Sequence, residues 1–174
     1  TQDASSHLQQ QAKTIARQIK LTTSITLRVA SDSDTDGPMV MGLLRPLIIL
    51  PASFERELTK EQQRLALLHE MMHVKRGDLW AAAAMMGFRL LNWPTPLIHW
   101  AWPRFRADQE AACDASVLRL TGETARADYA ETLLTAARVF AAPSTHTGRA
   151  SPTSGIGRSL SLHHPVKERL MILG

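Results

Sequence analysis

The sequence predicts an α+β fold, mostly helical, with one small antiparallel sheet. Three observations carry this. Short β-like runs cluster in the first third of the chain, and long stretches of helical periodicity fill the rest. A length of 174 residues is enough for a single domain, 1–174, with a sizeable core and no staples.

Taken in order, residues 6–19 place Leu8, Ala12, Ile15 and Ile19 on one face of a helix. Ser24-Ile25-Thr26-Leu27-Arg28-Val29 alternates as a half-buried strand. Met39–Met41 and Leu47–Leu50 read as further strands, punctuated by Gly42 and Pro46. Because Pro46 and Pro51 flank it, the run Leu47, Ile48, Ile49, Leu50 is expected at a sheet edge rather than in its centre. Asp32 to Gly37 copies the first half of a calcium loop. However, its twelfth position is Leu43 instead of glutamate and a strand precedes it, so an exposed acidic turn is the better reading. Helices are predicted at 60–76, 79–91, 96–119 (with Pro103 as a point of breakage) and 126–140. The Ala-, Pro-, Ser-, Thr- and Gly-rich stretch 142–161 reads as a mobile loop, and Pro165 to Ile172 as a short closing helix.

The first long helix carries His69-Glu70-Met71-Met72-His73. Residues four apart on a helix stand one above the other, roughly 5–6 Å between Cβ atoms, so two imidazoles at this spacing can grip one zinc ion. Glu70, beside them, can reach a water on that metal. Thr59 and Gln62 form a capping box at the helix start, Gly77 is a C-cap, and Asp78 can start the next helix.

Catalytic zinc takes three protein ligands and keeps one position open. A metzincin would need glycine at 76 and histidine at 79; the chain has Arg76 and Leu79. The other solution is a glutamate from a later helix. Glu110 and Asp114 lie four apart, on a face with Cys113, Val117 and Leu118. Glu110 on the metal, with Asp114 accepting a ligand histidine's N–H, would give both acids a partner. The competing reading is a solvated face paired with Arg104 and Arg106; the upstream motif favours the ligand.

At this point the chain resembles a known family. Pro38, Gly42 and Pro46-Leu47-Ile48-Ile49-Leu50-Pro51, then His69 to Leu79, Trp93-Pro94-Thr95-Pro96-Leu97 and Gln109 to Asp114, are similar to the BlaR/MecR-type membrane-embedded zinc peptidases over about residues 20–140. The Glu110-to-Asp114 element is similar to that of HtpX-like peptidases. The resemblance implies a zincin-like metallopeptidase domain with the motif helix at its core, one Zn2+ per chain on His69, His73 and Glu110, and Glu70 as catalytic base. It also implies an extended peptide substrate held by main-chain hydrogen bonds along the expected edge strand Leu47, Ile48, Ile49, Leu50. His164-Pro165-Val166-Lys167-Glu168-Arg169-Leu170 is similar to an element near the end of HtpX-like enzymes. It nominates His164, with Tyr129 and His163 as other candidates, as donor to the oxyanion of the tetrahedral intermediate. His164 could instead be a fourth ligand that blocks the site until the loop moves, or a helix-terminal histidine with no role.

Twenty Lys and Arg against sixteen Asp and Glu give a net charge of +4, with no basic block that would suit nucleic acid; mild attraction to an anionic membrane face is the most it supports. One cysteine, Cys113, excludes an internal disulfide framework. All four tryptophans lie between Trp80 and Trp102, in a segment broken by Pro94 and Pro96 with no uncharged run of the ~18 residues a spanning helix needs. A helix pair joined at Asn92–Pro96 and leaning on a bilayer interface is expected, with plain core packing as the alternative.

Three functions are therefore weighed. One is a BlaR/MecR-type endopeptidase domain, a fragment of a larger membrane protein, facing the cytoplasm and cutting a repressor-like regulatory protein or its own chain. Another is an HtpX-like quality-control peptidase. The third is a non-catalytic zinc-stabilised interaction domain, against which Glu70 speaks, since a structural site has no use for a general base.

Overall fold

In the computed structural model the described residues are 2–31, Thr35 and 37–140. They form a small sheet followed by a run of helices. The strands are β1 (Gln2–Asp3), β2 (Thr26–Ala30), β3 (Met39–Met41) and β4 (Leu47–Pro51), and the helices α1 (Ser6–Gln18), α2 (Phe54–Glu57), α3 (Lys60–Arg76), α4 (Asp78–Leu91), α5 (Pro96–Thr121) and α6 (Arg126–Phe140).

Local chemistry accounts for the boundaries. Ser5 caps α1 by accepting from Leu8 N–H, and Leu8, Ala12 and Ile15 turn its apolar face inward. Thr59 and Gln62 close a reciprocal capping box on α3, and Gly77 ends that helix at φ 74°, ψ 25°. Gly42, at φ 88°, turns β3 into the loop before β4; a Cβ there would stand 2.6 Å from the Arg45 carbonyl oxygen. Pro103 does not break α5, which is continuous over all 26 of its residues. Proline in a helix interior forfeits the bond to the fourth preceding carbonyl, at a cost of about 3 kcal/mol. Here it sits between the largely exposed start of α5 and its buried second half.

The sheet order is β1-β2-β4-β3. Two expectations are corrected. The sheet is mixed, not antiparallel: β1 with β2 and β3 with β4 are antiparallel, but β2 and β4 run parallel, Thr26 opposite Leu47 through Ala30 opposite Pro51. And β4 is a central strand, so Leu47, Ile48, Ile49 and Leu50 offer no free edge. The two prolines are tolerated because they stand at the strand's limits: Pro46 precedes the ladder and its carbonyl accepts from Thr26 N–H, while Pro51 occupies the last rung. The strands with an unpaired outer side among the described residues are the two-residue β1 and, beside β4, β3.

Helix α3 is the centre of the molecule, packed against α1, α4, α5, α6 and β3. From Leu65 to His73 every side chain is buried, the pattern of a helix enclosed on all sides. Leu65, Leu67, Leu68 and Met71 join Leu8, Ile15, Ile48 and Leu50 in one core; each contributes about 1.5–3 kcal/mol by leaving water. His69, Glu70 and His73 are buried within this same wall of side chains.

Candidate metal centre

A buried helix holds His69 and His73 one turn apart, and α5 packs against it with Glu110, Cys113 and Asp114 buried. The two Nε2 atoms are 3.1 Å apart. Oε2 of Glu110 lies 3.5 Å from Nε2 of His69 and 3.7 Å from Nε2 of His73. Three ligand atoms about 2.0–2.2 Å from one tetrahedral zinc would stand about 3.3 Å from one another. The side chains fit such an ion as they stand.

The opposite ring nitrogens are already engaged. Nδ1 of His73 is 2.8 Å from Oδ2 of Asp78, a carboxylate that can only accept, so the proton is on Nδ1. Nδ1 of His69 is 2.8 Å from the Tyr129 hydroxyl, which donates to Oδ1 of Asp114 at 2.7 Å; Asp114 itself is 3.3 Å from that Nδ1. Both rings thereby turn an Nε2 lone pair toward the same point, beside a carboxylate oxygen. Such a cluster is repulsive until a cation or protons fill it. Burial opposes charge on both histidines, but Cys113, Glu110 and the acids Asp114 and Asp78 outweigh it and raise both well above the ordinary imidazole range, so the surroundings favour positive charge here. Burial also works against ionised Glu110, yet His69 and His73 hold it well below the usual carboxylate range.

Glu110 splits its two oxygens. Oε1 accepts from Arg106 at 3.2 Å and Oε2 faces the imidazoles. Pairing with arginine and proximity to the histidines are thus compatible, but the face is buried, not solvated. Arg106 is held in turn by Gln109, whose amide donates to the Asp78 carbonyl. Glu70 is fully buried, and neither of its carboxylate oxygens has a hydrogen-bond partner among the described residues. Burial pushes its pKa up to about 8, against the pull of His69 and His73.

Sequence reasoning passed over several of these groups. Asp78 reads as a helix start, and only the left-handed turn at Gly77 folds it back onto His73; its position five residues after the second histidine was the available signal. Tyr129 is an oxyanion-donor candidate in the sequence, but its hydroxyl is committed to His69 and Asp114. Cys113 reads in the sequence as one more position on an apolar helix face, yet a ligand atom of His69, of His73 and its Sγ all lie within 4.8 Å of one another. Burial would raise the thiol, but the two histidines bring it down to about 7. Glu110 is the better third ligand on distance, while the thiol donates to the His69 carbonyl at 3.5 Å. His163, His164, the 142–161 loop, the closing helix and most of the acidic turn lie outside the described residues.

The methicillin resistance mecR1 protein of Staphylococcus aureus is 28% identical over 108 residues, 62% of this chain and 18% of that protein. Its namesake in Staphylococcus epidermidis matches to the same extent. Regulatory protein BlaR1 of Bacillus licheniformis is 28% identical over 98 residues, 56% of this chain and 16% of its own length. The chain thus spans less than a fifth of the length of these relatives. The family model described as BlaR1 peptidase M56 matches residues 2–173, a span that includes every side chain of the centre, and the chain belongs to that family.

Proposed function

We propose that this domain is a zinc-dependent endopeptidase of the zincin kind, with one zinc held by His69, His73 and Glu110 and with Glu70 as general base. The observation that carries the reading is the convergence of two Nε2 lone pairs and one carboxylate oxygen at 3.1–3.7 Å, with Glu70 buried and unpartnered beside them. When bound, the ion would polarise a peptide carbonyl and lower the pKa of a water to about 7. The protein's own groups do the rest. Asp78 fixes the tautomer of His73, Tyr129 and Asp114 fix that of His69, and Arg106 aims Glu110. Glu70 accepts the proton of the attacking water and passes it to the leaving amine. An extended substrate would pair along the outer edge of β3, since β4 has neighbours on both sides.

Relatives named for regulation and antibiotic resistance support a signalling role, in which the domain, part of a larger membrane protein and facing the cytoplasm, cuts a repressor-like regulatory protein or itself. His164 as oxyanion donor or blocking ligand remains part of this proposal. An HtpX-like quality-control role uses the same site and differs only in substrate.

The test is metal content together with cleavage of an unfolded protein. Glu70→Gln should retain one zinc per chain and lose cleavage; an active Glu70→Gln protein removes the general-base role. Glu110→Ala should lower zinc affinity far more than Cys113→Ala. The reverse order would make the thiol the third ligand.

A further inference from the structure

A cavity of about 370 Å³ lies between the edge strand β3 and helix α4. Val40 and Met41 form the strand side, Leu79, Met86 and Gly87 the helix side, and Trp102 of α5 contributes a further wall. We propose that this cavity is the specificity pocket for a large apolar side chain of an extended peptide paired along β3; the inference rests on the peptidase reading above and adds what the enzyme would select.

Three features of the cavity point to this occupant. The first is its place. The strand that contributes Val40 and Met41 is an edge strand, three residues long against two in the opposite edge β1, so a peptide added along its outer side would run past the cavity mouth. Side chains of an added strand alternate, and those on one face recur about every 6.6–6.8 Å, so one of them meets the pocket while its neighbours point away. The helix wall begins at Leu79, the residue after the Asp78 that holds His73, so pocket and metal centre share the junction of α3 and α4.

The second is its size and lining. The volume is at the low end of the ~300–1,000 Å³ typical of ligand pockets. A helix about 10–12 Å across would not enter, whereas one bulky side chain would. The third is Gly87. A glycine inside a helix costs roughly 1 kcal/mol relative to alanine, yet α4 keeps one at the cavity wall. A Cβ placed there meets nothing within 4 Å, so the missing side chain leaves open room. Gly87→Leu should therefore be accepted by the helix and fill the pocket.

The experiment uses the full chain in detergent and in lipid nanodiscs, with two readouts. Cut sites in unfolded β-casein, mapped by mass spectrometry, should show a large apolar residue at one fixed distance from the scissile bond. Gly87→Leu should reduce cleavage at those sites at least about tenfold and shift the preference to Ala or Ser, with Gly87→Ala intermediate. In the Glu70→Gln background, a peptide carrying benzoylphenylalanine should cross-link to Met41 or Met86, and Gly87→Leu should abolish the adduct. Unchanged preference in Gly87→Leu, or cross-links that ignore that substitution, would overturn the pocket. Adducts seen in detergent and lost in nanodiscs would do so too, by assigning the cavity to an acyl chain. A wild type that cross-links at Met86 but cuts nothing would leave the pocket standing as a peptide-binding site and sink the peptidase reading instead.

Discussion

Two histidines whose Nδ1 atoms are both spoken for each have a single lone pair to offer, and at this centre both point to the same place. The groups that enforce this differ in strength. Asp78 is a carboxylate 2.8 Å from its ring, whereas His69 rests on a neutral hydroxyl with Asp114 in reserve at 3.3 Å. Losing such a partner typically costs 10–100-fold in metal affinity. Asp78→Ala is therefore expected to weaken zinc binding by about tenfold or more, and Tyr129→Phe by less, because Asp114 can take over the N–H. Competition with a chromophoric chelator measures both. Wild-type affinity in Asp78→Ala would show that the contact does not orient the ring. The motif pair was legible in the sequence because its spacing is local. Tyr129 was not, because its contact with His69 closes across 60 residues and no periodicity reports it.

At the level of elements, two glycines hold the geometry by different means. Gly77 and Gly42 both adopt positive φ, 74° and 88°, which side chains other than glycine reach at a cost of about 1–2 kcal/mol. Around Gly77 a Cβ would meet nothing within 4 Å, so Gly77→Ala carries the backbone term alone; at Gly42 it would also strike the Arg45 carbonyl. Gly42→Ala is expected to destabilise the fold clearly more than Gly77→Ala in denaturant titrations; equal losses would mean that the turn relaxes around the added carbon. Helices at about 60–76 and 126–140 could be read from the sequence because periodicity, joined at the first by a capping box, acts within a few positions. Strand order could not, since pairing is decided across the chain. The flanking prolines pointed β4 outward, while its unbroken run Leu47-Ile48-Ile49-Leu50 was the contrary signal of a strand buried on both faces.

For the whole molecule, the α4–α5 hairpin presents an unusual surface. Trp80, Phe88, Leu91, Trp93, Leu97 and Trp100 are all more than half exposed, which rules out plain core packing for them. None of the described helices is long and apolar enough to cross a membrane. The hairpin also carries cations against its rings: the Arg104 guanidinium is 3.8 Å from the Trp100 centroid and Arg89 is 4.8 Å from that of Trp102. Aromatic residues interleaved with arginine match the headgroup boundary of an anionic bilayer, where ring and charge are both accommodated. The domain is therefore expected to bind vesicles containing anionic lipid through this hairpin, with binding weakened by salt. Fully burying one large apolar side chain is worth about 1.5–3 kcal/mol, and 1.4 kcal/mol is a factor of ten. Trp93→Ser combined with Trp100→Ser should thus lower vesicle partitioning at least about tenfold while leaving zinc content and thermal stability near wild type, because neither ring belongs to the core. Undiminished partitioning in the double variant, measured by flotation, would mean that the bilayer does not cover this surface.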